Sequence, residues 1–107
     1  MREPHHPSCD ELELSTVLHA LSDPARLTIV CALAAGDECT CGTFELGLSK
    51  ATLSHHFRVL REAGLVRTRP DGRRRMLSLR QDDLEERFPG LLDAVLAADK
   101  GRAPTVV

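Results

Sequence analysis

Two cysteines two positions apart, Cys39 and Cys41, are the most prominent candidates for chemistry in this sequence. Thiolates prefer soft ions such as Zn(II), Cd(II) or arsenite. Two ligands do not close a tetrahedral site. Cys9, His5 and His6, all near the N-terminus, are the candidates for the missing ligands, and the adjacent histidines also suit Ni(II). A regulatory metal or metalloid site is therefore one of two interpretations of this spacing, and neither includes a cofactor that the fold requires.

The backbone around these cysteines decides whether they can act together. Residues i and i+2 point to opposite sides of a regular helix. Cys39 and Cys41 can therefore share one ion only where the chain is extended or is just entering a helix. Burial in the core is the alternative, because a free cysteine packs like a small apolar side chain. The sequence leaves both interpretations open.

A second chemical feature is a basic segment, residues 50–80. It contains nine Lys and Arg residues against two acidic ones, a local charge of +7 in a chain whose net charge is −2. The remainder of the chain therefore carries −9. Eight of the nine cations are Arg, the side chain best suited to bidentate contacts with phosphate and guanine. Such a basic module in an acidic chain indicates one surface that attracts nucleic acid.

The overall composition narrows the class of protein. A chain of 107 residues with 42% hydrophobic residues is enough for one packed domain. Aromatic residues make up only 3%, so binding of single strands by stacking on aromatic platforms is disfavoured. No apolar segment approaches a membrane span, so we expect a cytoplasmic protein with no membrane partner. We also find no pattern typical of a catalytic site and expect no enzymatic activity.

Hydrophobic periodicity locates the elements that must position these residues. Apolar residues at helical spacing predict helices over about 10–21, 24–35 and 49–63, with a short helix over 39–46. The predicted core-facing stripes of the first two helices are Leu14, Val17, Leu18 and Leu21, and Leu27, Val30, Cys31 and Ala34. Ser49 is a suitable N-cap for the third long helix, and Gly64 is suited to end it.

The period then changes to two, which predicts a β-hairpin. Its strands are residues 65–69 and 74–79, joined by a turn over 70–73 that contains Asp-Gly. A last helical segment begins near Asp82, with a kink or a break into two helices at Pro89-Gly90. We expect residues 1–9 to form a flexible arm, residues 10–99 the domain, and residues 100–107 a flexible tail.

In this order the elements predict a mainly α fold with a small β-hairpin, a winged helix-turn-helix. The second helix of such a pair enters the major groove, and the hairpin forms the wing. The polar and basic positions of that helix, away from its apolar stripe, are the candidate base-reading residues: Lys50, Thr52, Ser54, His55 and Arg58. The candidate wing contacts to double-stranded DNA are Arg67, Arg69, Arg73, Arg74 and Arg75.

These segments resemble a known family. Residues 48–66 (LSKATLSHHFRVLREAGLV) are similar to the recognition helix of the ArsR/SmtB family, and residues 21–27 (LSDPARL) to the start of its second helix. The resemblance extends over about residues 12–98. It implies a homodimer, joined mainly by the first and last helices, that represses transcription at a pseudo-palindromic operator and releases DNA when an inducer binds.

The resemblance also bears on Cys39 and Cys41, which are similar to the Cys-x-Cys of the family's third-helix metal box. Gly42-Thr43-Phe44 follow, where metal-sensing members continue with an acidic residue. The alternative is therefore a metal-independent regulator, either redox-responsive or dependent on a partner protein that carries the sensor. A winged helix used only for protein contacts is a further alternative, and the salt dependence of DNA binding would distinguish it.

Overall fold

The computed structural model describes residues 6–36, 39–40 and 46–100. This part of the chain contains a 3-10 turn, five helices and a small three-stranded sheet. The helices are α1 (Leu14–Leu21), α2 (Pro24–Ala34), α3 (Lys50–Ala63), α4 (Gln81–Arg87) and α5 (Leu91–Lys100). The strands are β1 (Cys39–Thr40), β2 (Val66–Asp71) and β3 (Arg74–Leu79), in the antiparallel order β1-β3-β2. The fold is the winged helix-turn-helix that the sequence predicts.

The first helix begins later than its apolar stripe predicts. Cys9–Glu11 form a 3-10 turn, and α1 begins only at Leu14 rather than at Asp10. The Ser8 N–H donates to the Glu11 carboxylate over 2.7 Å, which closes the turn. Leu12 is extended and only 1% exposed, so its burial in the core interrupts the helix.

The buried faces of α1 and α2 differ in part from the predicted apolar stripes. On α1, Val17 and Leu21 are buried as expected, whereas Leu14 and Leu18 are exposed. On α2 the predicted stripe began at Leu27, which is only half-buried. The buried stripe is displaced by one residue and consists of Arg26, Ile29, Val30 and Leu33. An apolar pattern present on both sides of α2 made the choice of face ambiguous.

The prediction of a short helix over 39–46 is wrong at its first two residues. Cys39 pairs with Leu77 and Thr40 with Met76, so β1 adds a third strand to the hairpin. This pairing gives the free edge of β3 backbone partners that a local helix would not. Residues 41–45 of the predicted helix lie outside the described residues.

The hairpin itself is confirmed, with a shorter turn. The strands extend as far as the Asp71–Arg74 pair, so only Gly72 and Arg73 form the turn. Gly72 has φ +64°, and Arg73 does not have a positive φ, which is the sign pattern of a type II′ turn. Pro70 is tolerated in β2 because β2 is an edge strand, where an N–H can be lost.

The last helical segment breaks into two helices, one of the two outcomes expected. The C-cap of α4 is Phe88, and α5 begins at Leu91 after Gly90, whose φ is +81°.

Within the described residues no single helix is long and apolar enough to cross a membrane. The α1–α2 pair, bent by 100°, satisfies the same criteria of length and composition when the two helices are taken together.

Candidate nucleic-acid interface

Helix α3 is delimited by the caps that its sequence predicts. The Ser49 hydroxyl accepts a hydrogen bond from the Thr52 N–H over 3.1 Å and fixes the first turn. Gly64 ends the helix at φ +89°, and the Leu65 N–H donates back to the Leu60 carbonyl over 3.0 Å. Leu60 and Leu65 are both fully buried, so the ending is a complete Schellman motif.

The two faces of α3 differ in chemistry. Leu60 is buried in the core, and Leu53 and Phe57 pack against the core from half-buried positions. The five side chains of α3 that were predicted to read bases are all exposed: Lys50, Thr52, Ser54, His55 and Arg58. The helix therefore presents two cations, two hydroxyls and an imidazole to solvent, which are groups that can contact phosphates and base edges.

The wing presents a second group of cations. Arg67 and Arg69 are exposed on β2 and alternate with the buried Val66 and Thr68. The other three arginines, in and beside the two-residue turn, are also exposed: Arg73, Arg74 and Arg75. Every Arg of the hairpin is thus available to the solvent.

Two further cations of the basic segment are buried or half-buried and contact acidic side chains. Arg80 is buried, and both its Nε and its Nη2 contact the Asp83 carboxylate, at 3.0 and 2.9 Å. Arg61 is half-buried with one terminal nitrogen 3.7 Å from Glu62. The seven remaining cations of the segment are the ones predicted to contact DNA, and all seven are exposed.

Beneath α3 lies a polar group that the sequence did not predict. Arg26 and His56 are each 8% exposed, and Arg26 Nη1 lies 3.2 Å from His56 Nδ1. Asp23 lies beside them as the N-cap of α2 and accepts hydrogen bonds from the N–H groups of Ala25 and Arg26. Burial would raise the pKa of Asp23, but these hydrogen bonds and the nearby Arg26 guanidinium outweigh it, so the pKa is lowered. The sequence contains one sign of this buried polar group, because Arg26 occupies the first position of an apolar stripe with Ile29, Val30 and Leu33.

The candidate metal ligands near the N-terminus are held by separate partners. His6 Nε2 accepts a hydrogen bond from the Thr68 N–H over 3.0 Å. Cys9 Sγ lies 3.6 Å from both the Asp83 carbonyl and the Glu86 carboxylate. Partial burial and the neighbouring Glu86 raise the pKa of the Cys9 thiol, which disfavours the thiolate form that binds metals.

The remaining candidate ligands are only partly described. Cys39 lies in the extended backbone of β1, and Cys41 and His5 lie outside the described residues. In the described part of the chain, no three His, Cys, Asp or Glu residues form a group that could hold a metal ion.

The capped helix with its polar outer face, together with the arginine-rich wing, defines a winged helix-turn-helix DNA-binding protein. Residues 23–68 match the family described as bacterial regulatory protein, arsR family. The chain is 39% identical over 89 residues to the uncharacterized HTH-type transcriptional regulator YceK of Bacillus subtilis, spanning 80% of this chain and 89% of that protein. It is 40% identical over 92 residues to the arsenical resistance operon repressor of Staphylococcus xylosus, spanning 85% and 88%.

A solved structure agrees with these sequence matches. The transcriptional repressor BigR from Xylella fastidiosa superimposes with a TM-score of 0.62 at 32% identity, over 79% of this chain and 84% of that one. The chain therefore belongs to the arsR family of bacterial regulatory proteins, as the resemblance of residues 48–66 predicted. It is a DNA-binding transcriptional regulator.

Proposed function

We propose that this protein is a homodimeric repressor whose α3 helices bind successive major grooves of a double-stranded operator, while the two wings contact the flanking phosphates. One observation carries the proposal: the polar and basic side chains of α3 and the arginines of the hairpin are all exposed, whereas the apolar side of α3 packs on the core. Relatives named as repressors support the sign of regulation. Relatives named as regulators support a role other than catalysis. A bacterial repressor acts on the chromosome, so we propose that the protein is cytoplasmic.

The exposed side chains divide into two roles. Thr52, Ser54 and His55 supply donors and acceptors for base edges, and Arg58 can form a bidentate contact with guanine. The wing arginines neutralise phosphates, which gives affinity without sequence preference.

The proposal of a dimer rests on α1. Leu14 and Leu18 are 47% and 45% exposed and lie one turn apart on the same face of this helix. Large apolar side chains exposed together indicate an interaction surface. A two-fold copy seated on this face, with contributions from α5, would place two α3 helices on half-sites about 10 base pairs apart.

The salt dependence of operator binding tests the proposal. Fluorescence anisotropy on DNA from upstream of the gene should show affinity that falls steeply with salt, since each neutralised phosphate contributes about 0.9 to the logarithmic slope. Arg58→Gln should weaken binding and reduce the slope. Arg61→Gln, which removes the same charge one turn away at a half-buried position, is the matched control and should leave the slope unchanged. Affinity that is independent of salt would contradict DNA binding and favour a protein-contact module.

We also propose that a soft metal or metalloid ion induces release, with Cys39 and Cys41 as its first ligands. The position of Cys39 in the strand β1, rather than in a helix, supports this, because two cysteines at i and i+2 of a regular helix would point to opposite sides. A relative named as an arsenical resistance repressor supports the class of ligand. When bound, such an ion would take the two cysteine thiolates as ligands next to the strand pair β1–β3.

Titration of ions into the protein–DNA complex tests this second proposal. Zn(II), Ni(II), Cd(II) and arsenite are added in turn to the reduced protein. One ion should release the wild type but not the Cys39→Ser/Cys41→Ser variant, whose affinity without an ion should be unchanged. If no ion releases the wild type, the metal-independent alternative holds, with a redox signal or a partner protein as the sensor.

A further inference from the structure

The guanidinium of Arg26 connects three helices beneath the DNA-binding surface. Its Nε donates to the Ala20 carbonyl over 2.7 Å, and its Nη2 lies 3.4 Å from the His19 carbonyl, both at the end of α1. Its Nη1 lies 3.2 Å from Nδ1 of His56 on α3. Arg26 itself belongs to the first turn of α2. One planar group therefore holds α1 and α3 in fixed directions from α2.

The chemistry of the partners fixes the direction of the contact. A guanidinium only donates hydrogen bonds, so His56 Nδ1 is the acceptor. The other ring nitrogen, Nε2, lies 3.9 Å from the Asp23 carboxylate. The contact between α2 and α3 therefore depends on an acceptor at position 56.

His56 differs from its neighbour in both position and surroundings. His55 is exposed among the candidate DNA contacts, whereas His56 is 8% exposed and faces the core. A rotation of α3 that moved its outer face relative to α1 would have to break the Arg26–His56 bond. This matters because α1 carries the exposed Leu14 and Leu18 that we assign to the dimer interface.

We propose that Arg26 and His56 are positioning residues that set the orientation of α3 relative to the dimer, and hence the selectivity for operator over other DNA. This rests on the proposed function, in which α3 binds DNA as part of a dimer. Loss of the pair leaves every exposed cation in place. Binding to any sequence through phosphates should therefore survive, while the match to two half-sites is lost.

The variants separate positioning from folding. His56→Asn places an amide oxygen near the position of Nδ1 and can still accept from Arg26 without being titratable. His56→Leu fills similar space but offers no acceptor. Each variant is first examined by circular dichroism and thermal unfolding, so that binding is compared well below every Tm.

The readout is the ratio of affinities for the operator and for an unrelated duplex, with the salt slope of each. For His56→Leu the ratio should fall about ten- to a hundredfold, which matches loss of a hydrogen bond to a charged group. The affinity for the unrelated duplex and its salt slope should stay unchanged. His56→Asn should recover most of the ratio.

An unchanged ratio in His56→Leu, or a ratio for His56→Asn as low as that for His56→Leu, would overturn the positioning role while leaving DNA binding intact. A wild type that lacks salt-dependent DNA binding would instead contradict the proposed function.

Discussion

The end of α3 provides a prediction whose magnitude follows from two separate costs. Gly64→Ala would place a side chain at φ +89°, which costs about 1–2 kcal/mol for any L-residue but glycine. The added Cβ would also collide with Cδ2 of Leu12, and the Cγ of that side chain would lie only 3.3 Å away. Leu12 is 1% exposed and cannot move into solvent, so overpacking adds about 1–3 kcal/mol.

Gly90→Ala is the matched control. Gly90 has φ +81°, and a Cβ there meets nothing within 4 Å, so only the conformational cost of about 1–2 kcal/mol applies. Urea unfolding followed by circular dichroism measures both changes in the free energy of unfolding. We expect Gly64→Ala to be the more destabilising by about 1–3 kcal/mol, the overpacking cost alone.

A double-mutant cycle isolates the collision. Leu12→Val shortens the side chain that blocks the new Cβ, so Gly64→Ala in that background should cost about as much as Gly90→Ala. Equal costs for the two glycines in the wild-type background would refute the reasoning. A cost for Gly64→Ala that Leu12→Val does not reduce would refute it as well.

Three further predictions follow from the caps and the thiol. Asp23→Ala should lower the free energy of unfolding by about 1 kcal/mol through loss of the α2 cap, whereas Asp23→Asn retains the cap. Because the pKa of Asp23 is lowered in the folded protein, the stability difference between wild type and Asp23→Asn should be constant near neutral pH and shrink as the pH falls below about 4; a difference that grows would contradict this. Ser49→Ala should destabilise α3 by about 1 kcal/mol, measured by thermal unfolding. Glu86→Gln should lower the pKa of the Cys9 thiol, so that peptide mapping shows faster alkylation of Cys9 than in the wild type; an unchanged rate would contradict the contact.

The features that local chemistry controls could be predicted from the sequence. Ser49 and Gly64 delimit α3 as expected, because capping and left-handed endings depend on residues a few positions apart. Gly72 opens the wing turn for the same reason. The outer face of α3 also follows from helical period once its apolar stripe is assigned.

Features that depend on distant parts of the chain could not be predicted. Cys39 is extended because it pairs with Leu77, and no local pattern around Cys39 encodes that pairing. The Arg26–His56 contact joins residues 30 positions apart. The start of α1 was missed because Leu12 is drawn into the core, which a pattern within one helix does not reveal.

The central claim is that the exposed face of α3 lies in the major groove. Protection of operator guanines from methylation at N7, an atom that lies in the major groove, tests this most directly. We predict two clusters of protected guanines about 10 base pairs apart, each weakened by Arg58→Gln and retained with Arg61→Gln. Binding that leaves every guanine N7 reactive would contradict the claim.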